Sequence, residues 1–546
     1  MAKQLSYQPL PSFGLNGLNT QSNSSTLDSS WLTTANNIVL RESGRISFRK
    51  GLKQKVVPTG TAIASMVEHN DQGTNKIFAS YGTSIYTIDF TAPNAAFPSS
   101  GADVKRTVAD TTGDWQFVNF NDRLHCFHTG VVPQRYDGSL GSGAKWTAHA
   151  TDPASIATLF DPNCGMGFYG RIWCGGVAEA KDVVYYSNLL DGDDWTGGDT
   201  GLLDLSKIWD NDEVVAIAPF FGKLIIFGKN NILIYNSPQI VGSLAIDEVI
   251  RGVGCVSRDS VQTIGDDLVF LSATGLRSLA RTTEKDKLPL MDLSSNIKDT
   301  LIRNIGQSTN VKSVYVENEG VYIMSFIDKN INYVFDFKHI TPNNVPRVTT
   351  WDFNNDREPA SLIYTELYSG LLVGQKDGSI AGYEGYFDTD LAWVSSAVSY
   401  TNAPFTSDIQ SIWLALGESV SSSLLKRMIL VLEGGSGAVL YLKWYKDFSA
   451  TSSPATSISL QPATSGSTSL WGASGSLYGA TTVTHTHVAA THPSSSRYTP
   501  IYGLQEYKTP LTGSAKHLKI DISVESNGYD TSIQNLTLLH KEGKIR

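Results

Sequence analysis

The chain has 546 residues, room for two or three domains, and its 52 Asp and Glu against 43 Lys and Arg leave a formal net charge of −9. Such an acidic chain is a poor candidate for gripping nucleic acid, because nonspecific affinity comes from Lys and Arg neutralising phosphates. Its four cysteines, Cys126, Cys164, Cys174 and Cys255, are dispersed without a Cys-x-x-Cys pair, so neither a zinc site nor a disulfide framework is signalled and buried reduced thiols are expected.

The opening residues, Met-Ala-Lys-Gln-Leu-Ser-Tyr, lack the apolar core of a signal peptide. The longest apolar stretch, Val214 to Phe227, is interrupted by Pro219, Gly222 and Lys223 and is too short to span a bilayer. A soluble chain that does not leave through a signal is the expectation. From Met1 to about Thr33 the residues are rich in Ser, Asn, Gly and Pro and predict an extended arm with little core of its own. A first hairpin follows, from Asn36 through Gly44 to Arg49, with apolar and polar residues alternating in its second half.

Hairpin-like units then recur along the chain. They run from Lys76 to Asp89, Asp122 to Asp137, Gly170 to Ser187, Gly222 to Asn236, Asp267 to Leu279, Gly320 to Phe337 and Gly370 to Tyr383. The clearest is Gly222-Lys-Leu-Ile-Ile-Phe-Gly-Lys-Asn-Asn-Ile-Leu-Ile-Tyr-Asn236, in which two four-residue apolar runs flank a turn. Neither run alternates with polar residues, which predicts burial on both faces of a small sheet held between two others. The unit starts are about 44 to 54 residues apart, the size of one four-stranded propeller blade. Helical signal is weak; Leu293 to Arg303 predicts one short connecting helix.

From about Thr389 the pattern changes. Strand candidates at 410–416, 427–433, 438–445, 517–524 and 533–540 fit a β-sandwich. Between them, 448–500 is dominated by Ser, Thr, Ala and Gly and predicts a projecting tip loop. The expected architecture is all-β: an N-terminal arm and first hairpin at 1–55, a β-propeller of six or seven blades at 56–388, and a C-terminal β-sandwich-like domain at 389–546 carrying the long Ser/Thr-rich tip.

Several clusters invite a chemical reading. Asp191-Gly-Asp-Asp194-Trp195 suggests a calcium loop, but the fifth and sixth positions are Trp195 and Thr196 where an EF-hand needs a ligand and Gly, so a blade-connecting turn is expected. The Asp and Trp are reminiscent of the Asp-box of propeller sialidases, yet the Ser-x-Asp-x-Gly-x-Thr-Trp order is absent, and the two carboxylates of a glycosidase cannot be placed by counting. His485 and His487, with His492 nearby, would share one face of a strand and offer a metal site across a symmetry axis, against the plainer reading of polar side chains in a Thr-rich tip. Arg41, Arg45, Arg49, Lys50, Lys53 and Lys55 form the one basic concentration, read as a face docked on an acidic partner or simply solvated, with nucleic-acid contact the less favoured alternative. No Gly-x-Ser-x-Gly elbow, Walker loop or Gly-x-Gly-x-x-Gly fingerprint is present. No catalytic, cofactor-binding or metal residue is assigned.

The order of features resembles the tail nozzle (tail hub) proteins of short-tailed bacteriophages. The resemblance is carried by Gly17-Leu-Asn-Thr-Gln21, Ala35-Asn-Asn-Ile-Val39 and Gly44-Arg-Ile-Ser-Phe-Arg-Lys-Gly51. It continues through Lys223-Leu-Ile-Ile-Phe-Gly228, Gly252-Val-Gly-Cys-Val256, Asp267-Leu-Val-Phe-Leu-Ser272, Leu518-Lys-Ile-Asp-Ile-Ser523 and Leu536-Thr-Leu-Leu539. It implies a virion component assembled in the host cytoplasm, without catalysis, cofactor or small-molecule substrate. It also implies a homohexameric ring below the tail adaptor ring, contacts with tail fibres or spikes, a plug or needle at the distal end, and genomic DNA passing through the lumen without specific binding. A reading from another class, a host-surface carbohydrate-binding or glycoside-cleaving propeller, stands beside it.

Overall fold

The structure, a computed structural model, describes residues 5–41, 44–56, 59–88, 105–109, 111–209, 211–279, 292–308, 310–353, 358–386, 389–395, 399–417, 422–433, 438–460, 505–525 and 530–542; of 389–404 and of residue 505 the backbone alone is described. The chain is all-β, with six four-stranded blades arranged as a propeller. Blade 1 spans 63–107, blade 2 spans 116–148, blade 3 spans 164–204 and blade 4 spans 214–251. A three-stranded sheet at 262–278 forms the next sector, followed by blade 5 at 311–351. Blade 6 is built from 359–383 and takes its fourth strand, Leu52–Val56, from near the N-terminus. The ring therefore closes by pairing an early strand with a late one, which ties the two ends of the propeller together.

Each blade is sandwiched between neighbours, as the lack of alternation in its central strands dictates. In Lys223–Gly228, Leu224 and Ile226 point into a core shared with Trp173 and Val184 of blade 3. Ile225 and Phe227 point the other way, into a core shared with Leu268 and Phe270 of the three-stranded sheet. All four are fully buried, and each contributes roughly 1.5–3 kcal/mol of hydrophobic stabilisation. The seven hairpin-like units of the sequence coincide with the second and third strands of the seven sectors.

Beyond the propeller, two further sheets pack over one core that includes Leu32, Ile38, Phe48, Met428, Leu442, Ile520 and Leu536. One sheet contains Leu5–Leu10, Ile38–Leu40, Ile46–Phe48, Ser423–Glu433, Gln505–Pro510 and Ser532–Lys541. The other is continuous with blade 5, running from Pro346–Trp351 through Gly17–Leu18 and Trp31–Asn36 to Ser407–Ser411, His517–Glu525, Val439–Lys446 and Thr456–Ser459. The short helix Lys298–Ile305 lies between the three-stranded sheet and blade 5, burying Leu301 and Ile305.

These pairings redraw the boundaries expected from sequence. Residues 5–48 are not a separate arm: Leu5–Leu10 pairs antiparallel with Ser532–Lys541, and Trp31–Asn36 pairs with both Ser407–Ser411 and Pro346–Trp351. Thr389–Ser395 and Ser399–Pro404 extend the sheet of blade 6 and so do not begin the C-terminal domain. The reason is that strand partners hundreds of residues away leave no local mark on a Ser- and Asn-rich segment. Of the expected tip loop 448–500, residues 448–460 are described and include the strand Thr456–Ser459, paired with Val439–Leu442; 461–500 lies outside the described residues.

Candidate functional site

The inner strands of the sectors surround the propeller axis, where a cavity of about 500 Å³ opens between Gln116, Ala216–Pro219, Gln262, Ser313, Tyr315, Glu317 and Tyr364. Its polar groups are mostly neutral. The Gln116 Oε1 accepts a hydrogen bond from the Gly165 amide at 2.7 Å, and the Gln262 side-chain nitrogen donates to the Ser313 carbonyl at 3.2 Å. Among the described lining residues there is one carboxylate, Glu317. Glycoside hydrolysis by the usual route needs a pair of carboxyls flanking the scissile bond, of which the described lining supplies Glu317.

A charged network borders the cavity, which Arg258 itself lines. Buried Arg258 donates to the Asn163 carbonyl and Oδ1, both at 2.6 Å, and to the Asp114 carbonyl and Oδ1, both at 2.9 Å. Lys312, also buried, bonds Asp114 and lies 2.8 Å from Asp259 Oδ2. Asp114 and Asn163 precede the inner strands of blades 2 and 3, Arg258 and Asp259 sit at the entry to the three-stranded sheet, and Lys312 is on blade 5, so four sectors are tied across the axis. Burial alone would raise the Asp114 carboxyl, but the Arg258 guanidinium and the Lys312 ammonium outweigh it and hold it down at about 2. The guanidinium is saturated by these partners and is not left free to bind an anion. Sequence reading missed this network because Asp114 and Lys312 are far in the chain from the Arg258–Asp259 pair, with no spacing to connect them.

A second cluster joins blades 2 and 3. His125 Nδ1 and His149 Nε2 are 3.0 Å apart, and Asp193 Oδ1 lies 3.6 and 3.4 Å from them. Three such atoms are spaced as metal ligands would be, but the hydrogen bonds argue otherwise. The Trp195 indole N–H donates to His149 Nδ1 at 3.1 Å, and an indole nitrogen can only donate. Neutral His149 therefore carries its proton on Nε2, aimed at His125 Nδ1, and a metal there would require an imidazolate. Arg135 and Arg123 pair with Asp193 and further disfavour a cation. Burial pushes both imidazoles down, helped for His125 by His149 and by Arg135 and for His149 by Arg135, with His149 reaching about 3. The cluster is a neutral hydrogen-bonded pin.

The acidic run noted in the sequence is engaged in the same region. Asp194 Oδ1 accepts the Thr196 and Gly197 amides at 2.9 Å, its Oδ2 accepts from Asn188 at 2.8 Å, and Asp191 Oδ1 accepts the Asp193 amide at 3.1 Å. It is a turn, with Asp194 used locally and Asp193 turned to Arg123 and Arg135 of blade 2. The four cysteines are buried free thiols, each with its acidity suppressed first by burial. His485, His487 and His492 lie outside the described residues.

The basic segment is paired with acids of this same chain, its Arg41, Arg45, Lys50, Lys53 and Lys55 side chains staying partly exposed. Arg45 pairs with Glu433 at 2.7 Å and Arg41 with Asp530 at 3.6 Å, both acids belonging to the C-terminal sheets. Lys50 pairs with Glu319 of blade 5 at 2.6 Å, and Lys55 with Glu384 beyond blade 6 at 2.7 Å, with Lys53 at 3.8 Å. Burial raises the Glu319 carboxyl, but Lys50 and Arg41 override it and the net shift is downward. Arg49 is fully buried. The segment is a strap that neutralises acids on both bodies, and sequence could not show this because those acids are distant in the chain.

No protein-family model matches the chain, and no curated protein matches it. Among solved structures, the Neurospora crassa Pan2 WD40 domain is similar at 8% identity over 61% of this chain and 96% of its own, with a TM-score of 0.38. A chain of a mitotic checkpoint complex is similar at 10% identity over 68% of this chain and 98% of its own, with a TM-score of 0.37.

Proposed function

We propose that this chain is a structural subunit of a short bacteriophage tail, contributing to the distal nozzle ring below the adaptor, through which the genome leaves. The observation that carries this reading is mechanical: one sheet runs unbroken from blade 5 through the N-terminal strands into the C-terminal sheets, and the Arg41–Lys55 strap clamps the same junction. Such a body holds its surfaces in fixed relation, which a ring built from repeated contacts requires. In this reading the DNA conduit is the lumen between copies, the inner parts of the propeller sectors being tied to one another by the Arg258 network. The chain's net charge of −9 favours passage without tight binding. The resemblance of the order of sequence motifs to tail nozzle proteins is what suggests the viral assignment.

The axial cavity favours a second reading, a propeller that binds a neutral saccharide at the host surface, through Gln116, Gln262, Tyr315 and Tyr364. Electron microscopy of the purified chain, and of the virion tail bound by an antibody against it, separates the two. Sixfold rings with an open lumen, and label at the tail's distal end, are expected for the nozzle. Unlabelled tails together with depolymerisation or tight binding of a host polysaccharide by the isolated chain would reject it.

A further inference from the structure

Blades 1 to 4 join their first and second strands by two-residue turns: Gln72-Gly73, Asn121-Asp122, Tyr169-Gly170 and Phe221-Gly222. In each, both residues have positive φ: 51° and 83°, 47° and 57°, 48° and 71°, 46° and 75°. This is the requirement of a type I′ turn, whose first position favours Asn, Asp or Gly because a bulky side chain is strained there. Blades 3 and 4 instead hold aromatic residues at that position, and they face solvent: Tyr169 is 46% exposed and Phe221 69%. Neither strain nor exposure helps folding. Such outliers point to a surface kept for contact.

The two turns belong to one patch. A methyl group at Gly170 would lie 3.2 Å from Leu189 and 3.3 Å from Leu190, and one at Gly222 would lie 3.3 Å from the Tyr169 hydroxyl. Leu189 and Leu190 are exposed, and Leu190 is also left-handed at φ 60°. The Asn121 side chain holds this loop through the Leu190 carbonyl at 2.7 Å.

A second apolar face lies on the C-terminal body. Register places Leu5, Lys541 and Leu424 in one row across three strands, and Tyr7, Leu539, Arg427 and Pro510 in the next; Ile429, beside Lys508, follows. The opposite face carries the buried Met428, Leu430, Leu536 and Leu538. Leu5, Tyr7 and Leu424 are exposed, whereas an outer sheet face normally carries polar residues. Among the described residues the strand Leu5–Leu10 is an edge, paired only with Ser532–Lys541.

The two faces are complementary in charge as well as apolar. Asp122 and the half-exposed Asp191 border the first beside Asn121 and Leu190, while the rows of the second carry Lys541, Arg427 and Lys508 against Glu506. Blade 3 lies three sectors round the ring from blade 5, which carries the C-terminal body. One molecule offers two different faces, and a head-to-tail contact covers both at once.

We propose that copies of this chain dock head to tail, the Tyr169–Leu189–Leu190–Phe221 patch of one seating on the Leu5–Tyr7–Leu424–Leu539 face of the next. The inference rests on the ring-subunit reading and names its faces. Sedimentation of the full chain, with Tyr169→Asn/Phe221→Asn and Tyr7→Glu variants, tests it. The turn variant is expected to melt no lower than the parent, since Asn suits the left-handed position, while associating at least tenfold more weakly. Tyr7→Glu, which removes the apolar contact and adds a charge that repels the acidic face, is expected to weaken association to a similar degree. Salt should weaken the parent's association, because opposite charges steer it. A short bismaleimide should join Phe221→Cys to Tyr7→Cys in a mixture but join neither variant to itself, the native thiols being buried. Oligomers that persist in the variants and give no cross-link would overturn the faces while leaving the ring. A parent chain that stays monomeric and gives no cross-link would overturn self-docking altogether, and tail imaging would then judge the nozzle reading by itself.

Discussion

The guanidinium of Arg49 stacks on the ring of Phe405, its central carbon 3.6 Å from the ring centroid. The same group donates to Asn37 Oδ1 and to the Lys50 carbonyl, each at 2.8 Å, and to the Asp352 carbonyl at 3.0 Å. One fully buried side chain thus joins the N-terminal hairpin, the end of blade 5 and the segment that leaves blade 6. Lysine keeps the charge but offers neither the plane nor the fork of donors. Arg49→Lys is expected to destabilise the protein by at least about 3 kcal/mol, since hydrogen bonds to charged groups contribute roughly 1.5–3 kcal/mol each. Urea denaturation measures this, and an unchanged midpoint would show that the junction does not depend on Arg49.

Arg258→Ala should cost roughly 3–5 kcal/mol, the penalty of breaking a buried ion pair from one side. The variant leaves Asp114 and Asp259 with Lys312 alone. Adding Asp114→Ala to it should cost less than the sum of the two single changes, because the network is shared. Additive losses in a double-mutant cycle would contradict the coupling.

Ile226→Asp places a carboxylate in the core between blades 3 and 4, where Ile226 is fully buried among Trp173, Leu224 and Leu233. No cation is among those core neighbours to neutralise it, and folding of the propeller should fail. A circular-dichroism melt equal to the parent's would place Ile226 at the surface instead.

Acid should weaken the fold in two windows. His149 and His125 are held neutral in the native state, His149 with its pKa at about 3, whereas an unfolded histidine takes up a proton near pH 6.5. As pH falls below about 6.5 the unfolded chain binds protons that the native chain refuses, so stability drops by about 1.4 kcal/mol per pH unit for each such site. Asp114 acts lower: its contribution, present above the ordinary carboxylate pKa, is lost as pH falls from near 4 to about 2. Denaturation between pH 7 and 4 should show the first slope, flattened in a His149→Gln variant. An equal slope in that variant would remove His149 from the account.

The sequence by itself determined the repeating unit. Apolar runs without alternation, such as Leu224 to Phe227, permit only a strand covered on both faces, and their recurrence about every fifty residues marks successive blades of one disc. It also exposed the hairpin from Ile38 to Phe48 and the short helix near Leu301, because turns and local periodicity are written in neighbouring residues. Tertiary structure alone decided what the N-terminal segment does. Leu5–Leu10 finds its partner at Ser532–Lys541, Leu52–Val56 completes a blade begun at Pro359, and the basic residues Arg41 to Lys55 meet Glu319, Glu384, Glu433 and Asp530. Hydrogen-bond ladders and ion pairs between segments so far apart depend on closure of the ring, and no local pattern of side chains records which distant strand will supply the missing edge.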